Sequence, residues 1–138
     1  GISATHANLQ PVSSFKTYIS SIRNVPEGQS IGYGRKSYTT RSSRIAVIPV
    51  GYADGLNRHL SNRVGNVFIK GKRVPIIGNI CMDTCMIDVT DTNATIGDEV
   101  EIFGKHILVT ELSEQLGTIP YEILTGISHR VKRVYYKE

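Results

Sequence analysis

The sequence lacks three features that would place it in a specialised class of protein. No apolar run approaches the roughly 18 residues of a membrane-spanning helix, so we expect no membrane association. Its 16 lysines and arginines are spread along the chain, so the net charge of +4 favours a solvated basic surface over a nucleic-acid partner. Neither an initiator methionine nor a signal peptide is recognisable at the start, and we expect the chain to be part of a longer protein.

Cysteine is also scarce, since Cys81 and Cys85 are the only two. On an unbent strand they would share a face but lie too far apart for a disulfide. No second pair of cysteines or histidines stands at ligand spacing, so we expect no metal site. We interpret both cysteines as reduced thiols, which are typical of the cytoplasm.

The amino-acid composition is that of a globular domain. Hydrophobic residues make up 40% of the 138 residues and charged residues 20%, which argues against disorder. A chain of this length forms one domain and buries roughly two thirds of its unfolded surface. We therefore treat residues 1–138 as a single domain that folds without disulfides.

Short apolar segments separated by glycine, proline and asparagine predict a mainly β fold. Strands are predicted over residues 11–25 (with a bulge), 44–51, 64–69, 73–77, 80–89, 99–103 and 129–137. The apolar run 44–51 should be buried on both faces, whereas the alternation over 99–103 predicts a half-exposed strand. Lys70-Gly71-Lys72 is typical of a hairpin reversal.

Helix signals occur only late in the chain. Thr110 is the predicted N-cap of a helix that ends at Gly117, and Pro120 can stand in the first turn of a second helix. Many short strands and few helical signals together predict a Greek-key-like closed β-barrel with one or two short helices.

Two glycine-bounded motifs place polar side chains where sites are often built. Tyr33 lies between two glycines, which allow a sharp bend or a close backbone approach, although an ordinary turn with a surface aromatic is the alternative. Gly51-Tyr52-Ala53-Asp54-Gly55 follows the predicted buried strand, at a position where loops commonly carry function. The alternative there is a turn in which Asp54 caps backbone amides.

Two further motifs are less informative by themselves. Ile80-Cys81-Met82-Asp83 is the most specific string in the chain, but its cysteine could be a small core residue. Tyr121, in the first turn of the predicted second helix, could serve only for amphipathic packing.

In order and spacing these motifs resemble the C-terminal β-domain of alanine racemase, a pyridoxal-phosphate enzyme of bacterial cell-wall synthesis. The segments that carry the resemblance are Ile31-Gly32-Tyr33-Gly34-Arg35, Gly51-Tyr52-Ala53-Asp54-Gly55, Ile80-Cys81-Met82-Asp83-Thr84-Cys85-Met86 and Ile119-Pro120-Tyr121-Glu122. The resemblance extends from Val12 to the end of the chain. It implies that residues 1–11 are a linker from a (β/α) barrel domain outside this sequence.

The resemblance implies that Tyr33 is the catalytic acid/base on one side of the substrate Cα. An ordinary phenol has a pKa near 10, so a nearby cation must lower that pKa before it can act as a base at neutral pH. By the same resemblance Tyr52 lines the substrate entrance, and Arg58 matches an arginine there.

Met82 and Asp83 match residues that help to hold the substrate carboxylate from the neighbouring subunit. Because the Asp83 carboxylate would repel that of the substrate, backbone N–H groups are the expected contacts, with Asp83 orienting the loop. Tyr121 matches a tyrosine that hydrogen-bonds the cofactor phosphate, although Pro120 replaces the asparagine usual before it.

The resemblance implies pyridoxal 5'-phosphate as cofactor, alanine as substrate and a head-to-tail homodimer in the cytoplasm. None of the seven lysines stands in a motif like that of the cofactor-binding lysine, so this chain alone is expected neither to bind the cofactor covalently nor to catalyse. Segments 47–52, 79–83 and 130–136 look closest to racemases fused behind a Mur ligase.

Two alternatives remain open from the sequence. The first is a serine or broad-specificity amino-acid racemase of the same fold. The second is a basic β-barrel module that binds nucleic acid or protein, with tyrosines for stacking and arginines for phosphate contact.

Overall fold

The computed structural model describes residues 13–31 and 37–133. Within these ranges the strands are β1 Phe15–Tyr18, β2 Ser21–Val25, β3 Ser30–Ile31, β4 Ser37–Tyr38, β5 Ser43–Ile48, β6 Asn66–Ile69, β7 Lys72–Ile77, β8 Cys85–Asp88 and β9 Glu99–Phe103. The helices are α1 Val109–Leu116 and α2 Pro120–Thr125, with short 3-10 helices at Tyr52–Asp54 and Arg58–Leu60. No helix in the described ranges is long and apolar enough to cross a membrane.

Seven strands form one antiparallel sheet in the order β1-β9-β6-β7-β8-β5-β2, and β3 pairs with β4 separately. β1 and β2 occupy opposite ends of that order, yet only Ile19 and Ser20 separate them in the chain. Ile19 donates its N–H to Asp98 O (3.0 Å), while Ser20 donates to Val47 O on β5 (2.9 Å). One bent strand therefore joins both ends of the curled sheet. The predicted mainly β, barrel-like class with two short helices is confirmed.

The position of β5 explains why its sequence is apolar on both sides. β5 lies between β2 and β8 and is covered on both faces. Ala46 and Ile48 belong to the main hydrophobic core, and Ile45 packs in a second cluster with Val25 and Ile77. The predicted two-sided burial is confirmed, with Arg44 and Val47 only half-buried.

The β6–β7 hairpin forms at the predicted reversal. Lys70 and Gly71 make a two-residue loop with φ values of 50° and 77°. Two consecutive positive φ angles characterise a type I′ turn, whose twist matches that of the strands it joins. The predicted bulge in the first strand is also present, because the β1–β9 register shifts between Phe15 and Lys16.

The start of α1 and the exposure of β9 differ from the sequence predictions for one shared reason. Glu101 on β9 is buried, because its Oε2 accepts the N–H groups of His106 (2.7 Å) and Ile107 (2.8 Å). The half-exposed alternation predicted for β9 is therefore wrong. The turn held by Glu101 leads to Leu108 as N-cap, two residues before the predicted Thr110.

Both remaining helix signals are confirmed. Gly117 ends α1 in the left-handed region with φ 68°, and its N–H donates to the carbonyls of Ser113 and Glu114. Pro120 occupies the first turn of α2. The N–H groups of a first turn have no acceptor within the helix, so the N–H that proline lacks costs no hydrogen bond there.

Two of the predicted strands differ most from the structure. The strand predicted over 80–89 begins only at Cys85, because Cys81 N–H donates to Thr84 O (3.0 Å) and closes a turn before it. The described part of the predicted strand 129–137 is not a strand, since Val131 N–H donates to Ser128 O (3.1 Å) in a turn. Residues 134–137 lie outside the described ranges.

Candidate functional site

Tyr33, the predicted acid/base, lies outside the described residues, as do Gly32 and Gly34. The other predicted site residues are all described. Four of them fall on two loops that meet at one end of the sheet, and the fifth, Tyr121, lies on α2.

The two loops meet backbone to backbone. Tyr52 donates its N–H to Cys81 O, and Ala53 donates its N–H to Met82 O, each with an N···O distance of 3.0 Å. A Cβ added at Gly51 would lie 2.2 Å from Cys81 O, which is far inside contact distance. Glycine is therefore required at position 51 by the close approach of the 81–83 turn.

Asp54 fixes the first loop from inside. Its Oδ2 accepts the N–H of Gly51 (2.9 Å), so the predicted capping of backbone amides is present. Its Oδ1 accepts a hydrogen bond from Arg130 Nε (2.6 Å). The bond from Arg130 holds the pKa of Asp54 below its usual value; burial opposes this shift, and the bond from Gly51 supports it.

Arg130 connects the two motifs through their aspartates. In addition to Asp54, its Nη2 donates to Oδ1 of Asp83 on the second loop. These bonds, first to Asp54 and then to Asp83, raise the pKa of the Arg130 guanidinium. Sequence reasoning did not single out Arg130 as a site residue. One signal in the sequence could have pointed to such an arginine. Each of the two motifs contains one aspartate, and two aspartates that meet need a cation between them.

Tyr52 and Arg58 form a second pair beside the loops. The Arg58 guanidinium carbon lies 5.4 Å from the centroid of the Tyr52 ring, within the range of a cation–π contact. Asn57 caps the short helix that carries Arg58, because its side chain accepts the His59 N–H (2.8 Å). Both predicted entrance residues are thus neighbours in the structure, and Tyr52 remains 42% exposed.

A cavity of about 490 Å³ opens next to this pair. Tyr52 and Arg58 contribute to its wall, and α1 and α2 contribute mostly apolar residues such as Leu112 and Ile123. Tyr121 is not part of the lining. It is 72% exposed on α2, so its phenol is free to contact another molecule.

Cysteine and metal chemistry find no support in the described ranges. No group of three or more potential metal-binding side chains occurs among those residues. Cys81 and Cys85 are both free thiols, as predicted. Burial, together with the neighbouring Cys81, raises the pKa of Cys85 to about 12, so this thiol stays protonated and unreactive at neutral pH.

Fold and site together define a small β-domain that presents two interlocked polar loops at one end. The family described as "Alanine racemase, C-terminal domain" matches residues 12–135, and the chain belongs to that family. It is 51% identical over 133 residues to "Alanine racemase 2" of Caldanaerobacter subterraneus, covering 93% of this chain and 34% of that protein. Identity to "Alanine racemase" of Methanococcus maripaludis is 48%, covering 93% and 35%.

The fold likewise matches one part of solved alanine racemases. The chain superposes with a TM-score of 0.85 on alanine racemase from Bartonella henselae with covalently bound pyridoxal phosphate, at 38% identity. The match covers 89% of this chain and 34% of that chain. The chain thus spans about a third of the length of the curated relatives it matches.

Proposed function

We propose that this chain is the C-terminal domain of a cytoplasmic alanine racemase, which converts L-alanine to D-alanine for peptidoglycan. Family membership supports the activity of the whole protein. The observation that carries the role of this domain is the junction of the 51–55 and 80–86 motifs through two backbone hydrogen bonds and Arg130. Residues that the family resemblance assigns to the substrate are thereby held together on one surface.

The lysines in the described ranges do not fit covalent binding of pyridoxal phosphate. A lysine that serves as a dedicated site for an aldehyde cofactor is usually buried or placed beside another cation, because both favour the neutral amine that reacts. The five described lysines are all exposed, and three of them bond to surface oxygens: Lys16 to Glu99 (3.3 Å), Lys70 to Asp98 (3.6 Å) and Lys72 to Asp91 O (2.6 Å). This exposure, and the lack of a cofactor-lysine motif around any of the seven lysines in the sequence, support placing the covalent lysine in an N-terminal (β/α) barrel domain.

The cofactor, when bound there, would act as the electron sink that makes the α-proton of the amino acid removable. From this chain, the exposed phenol of Tyr121 would donate a hydrogen bond to its phosphate. Removal and return of the α-proton on opposite faces of Cα needs one acid/base on each side. Tyr33 would be the acid/base on one face, with its phenolate stabilised by a cation from the barrel domain.

The described loops would position the substrate carboxylate and its path of entry. Backbone N–H groups at Met82 and Asp83 can receive that carboxylate without an added positive side chain. The Arg58 guanidinium, which lies over the Tyr52 ring, would attract the amino acid at the entrance. Met82 is 53% exposed, so this surface is open to contact from another polypeptide.

We infer that the other polypeptide is the barrel domain of a second subunit in a head-to-tail homodimer. The chain alone would then be inactive, because the covalent lysine and the second base belong to the barrel. A nucleic-acid-binding role is less well supported. Several described arginines that would have to contact phosphate are bonded to carboxylates, namely Arg41 to Asp91, Arg73 to Glu111 and Arg130 to Asp54 and Asp83.

Substitution of Tyr33 tests the proposal in the full-length enzyme. Tyr33→Phe should lower turnover by about 10²–10⁴-fold, the usual contribution of a positioned acid/base. Deuterium wash-in in single turnovers, measured separately on L- and D-alanine, should show the larger loss on L-alanine. The isolated 138-residue chain serves as the inactive baseline. Equal and small losses on both enantiomers would mean that Tyr33 is a packing residue.

A further inference from the structure

We propose that Arg130 is a positioning residue: by bridging Asp54 and Asp83 it fixes the 81–83 turn against Tyr52 and compensates the charge of Asp83 beside the substrate carboxylate. The claim that Arg130 fixes the 81–83 turn rests on contacts among the described residues. The part that concerns substrate rests on the proposed racemase function.

The bridge uses two different nitrogens of one planar guanidinium. Nε donates to Asp54 over 2.6 Å, and Nη2 donates to Asp83. The spacing and plane of these donors are fixed by the guanidinium, so the two carboxylates are held in a defined relation. A lysine offers one compact charge and cannot reproduce this two-sided contact.

Arg130 is itself held in place by the loop that it supports. Ser128 donates its N–H to the backbone carbonyl of Asp54 (3.0 Å), and the Ser128 hydroxyl accepts the N–H of Arg130 (3.2 Å). The Asp54 side chain is only 11% exposed and also accepts the Gly51 N–H. The low pKa of Asp54 and the raised pKa of Arg130 keep both groups charged across the physiological range. The guanidinium is therefore anchored on the buried aspartate and reaches outward from it.

Asp83 depends on that anchor. Its side chain is 60% exposed, and within the described ranges Arg130 provides its ion pair. The carboxylate stands next to Met82, whose carbonyl accepts the Ala53 N–H and whose backbone is assigned to the substrate. With Arg130 present, two aspartates and one arginine carry a net charge of −1. Without Arg130 the two aspartates carry −2, and the exposed Asp83 carboxylate is free to turn toward an incoming substrate carboxylate.

The test compares steady-state constants in the full-length enzyme. Arg130→Gln should raise the KM for L-alanine by about tenfold or more, because an uncompensated carboxylate opposes binding, while kcat changes less. Adding Asp83→Asn to Arg130→Gln should recover most of that rise, since the repelling charge is then gone. A merely structural arginine would show no such recovery.

Arg133→Gln is the matched control. Arg133 lies three residues further along and loses the same charge, but its guanidinium donates to the carbonyls of Ile127, Ser128 and Val131 and, among the described residues, not to a carboxylate. Its KM should stay within about twofold of the unsubstituted enzyme. An equal rise in KM for the two variants would overturn the assignment to Arg130.

Hydrogen exchange supplies a readout that does not need racemase activity. In Arg130→Gln the amides of Tyr52 and Ala53, which bond to the 81–83 turn, should exchange faster than in the Arg133→Gln control. If Arg130→Gln does not fold, Arg130→Lys keeps a charge for Asp54 and should still raise KM. Unchanged exchange or an unchanged KM in these variants overturns the inference. If the unsubstituted enzyme has no alanine racemase activity, the proposed function is wrong. The hydrogen-exchange result then decides whether Arg130 fixes the 81–83 turn.

Discussion

Gly51→Ala should be strongly destabilising for steric reasons alone. Gly51 has φ −146° and ψ −163°, an extended conformation that alanine also adopts, so no backbone strain is expected. The new Cβ would lie 2.2 Å from Cys81 O and 2.4 Å from Met82 O. Since carbon and oxygen in contact are about 3.3 Å apart, the two loops must separate by about 1 Å.

The expected cost follows from the contacts that this separation breaks. The 3.0 Å hydrogen bonds from Tyr52 to Cys81 and from Ala53 to Met82 would both be lost. At about 1 kcal/mol for each bond, and up to about 3 where a buried group is left unpaired, the free energy of unfolding should fall by about 2–4 kcal/mol. For a chain of this size that corresponds to a drop in Tm of about 6–20 °C.

Thermal unfolding followed by circular dichroism measures this change, with Gly126→Ala as the control. Gly126 follows α2 in the right-handed region, and among the described residues its added Cβ would meet Glu122 O at 3.2 Å and Ile123 O at 3.5 Å. Its Tm should change by no more than about 3 °C. If Gly51→Ala unfolds within that same range, the 51–54 and 81–83 loops are not held together as described.

Two further predictions concern ionisable groups. In the folded chain a thiol reagent at pH 8 should label Cys81 quickly and Cys85 only after addition of denaturant, because Cys85 is buried with a pKa of about 12. Equal labelling rates for the two cysteines would contradict the burial of Cys85. Burial raises the pKa of Glu101, but the hydrogen bonds from Ile107 and His106 outweigh it and leave that pKa below the ordinary value. Its stabilising effect is therefore complete above about pH 4.3 and is lost as pH falls through the lower folded pKa. The Tm difference between the unsubstituted chain and Glu101→Gln should accordingly shrink below about pH 4, and a pH-independent difference would contradict the assignment.

Elements governed by neighbouring residues could be predicted from the sequence. The Lys70-Gly71 reversal, the end of α1 at Gly117 and the start of α2 at Pro120 each depend on the φ angle or missing N–H of the residue itself. The buried strand β5 was recognisable for a similar reason, because burial on both faces requires apolar residues at consecutive positions.

Features that depend on distant partners could not be predicted in the same way. The alternation in β9 indicates an exposed Glu101, and only the later chain supplies the amides that bury it. The early end of the strand predicted from residue 80 reflects a turn closed by Cys81 and Thr84. Arg130 stands 76 residues from Asp54 and 47 from Asp83, so no local pattern connects them.

The candidate site was predicted in part. The motif containing Tyr52 and Asp54 and the motif containing Met82 and Asp83 do meet, which their order in the chain alone does not require. The resemblance assigned roles to these residues, and the contacts explain why they are held together. The arginine that joins them was found only in the structure.

Subunit complementation tests most directly whether this domain serves the active site of a partner subunit. One full-length variant carries Tyr33→Phe with an intact cofactor lysine, and the other keeps Tyr33 but lacks that lysine. Each homodimer should be nearly inactive, whereas a mixed dimer contains one site with an intact lysine and an intact Tyr33. After unfolding and refolding an equal mixture, racemase activity should return to roughly a quarter of that of the unsubstituted enzyme. Mixed dimers that form but stay as inactive as the two parents would contradict a site shared between subunits.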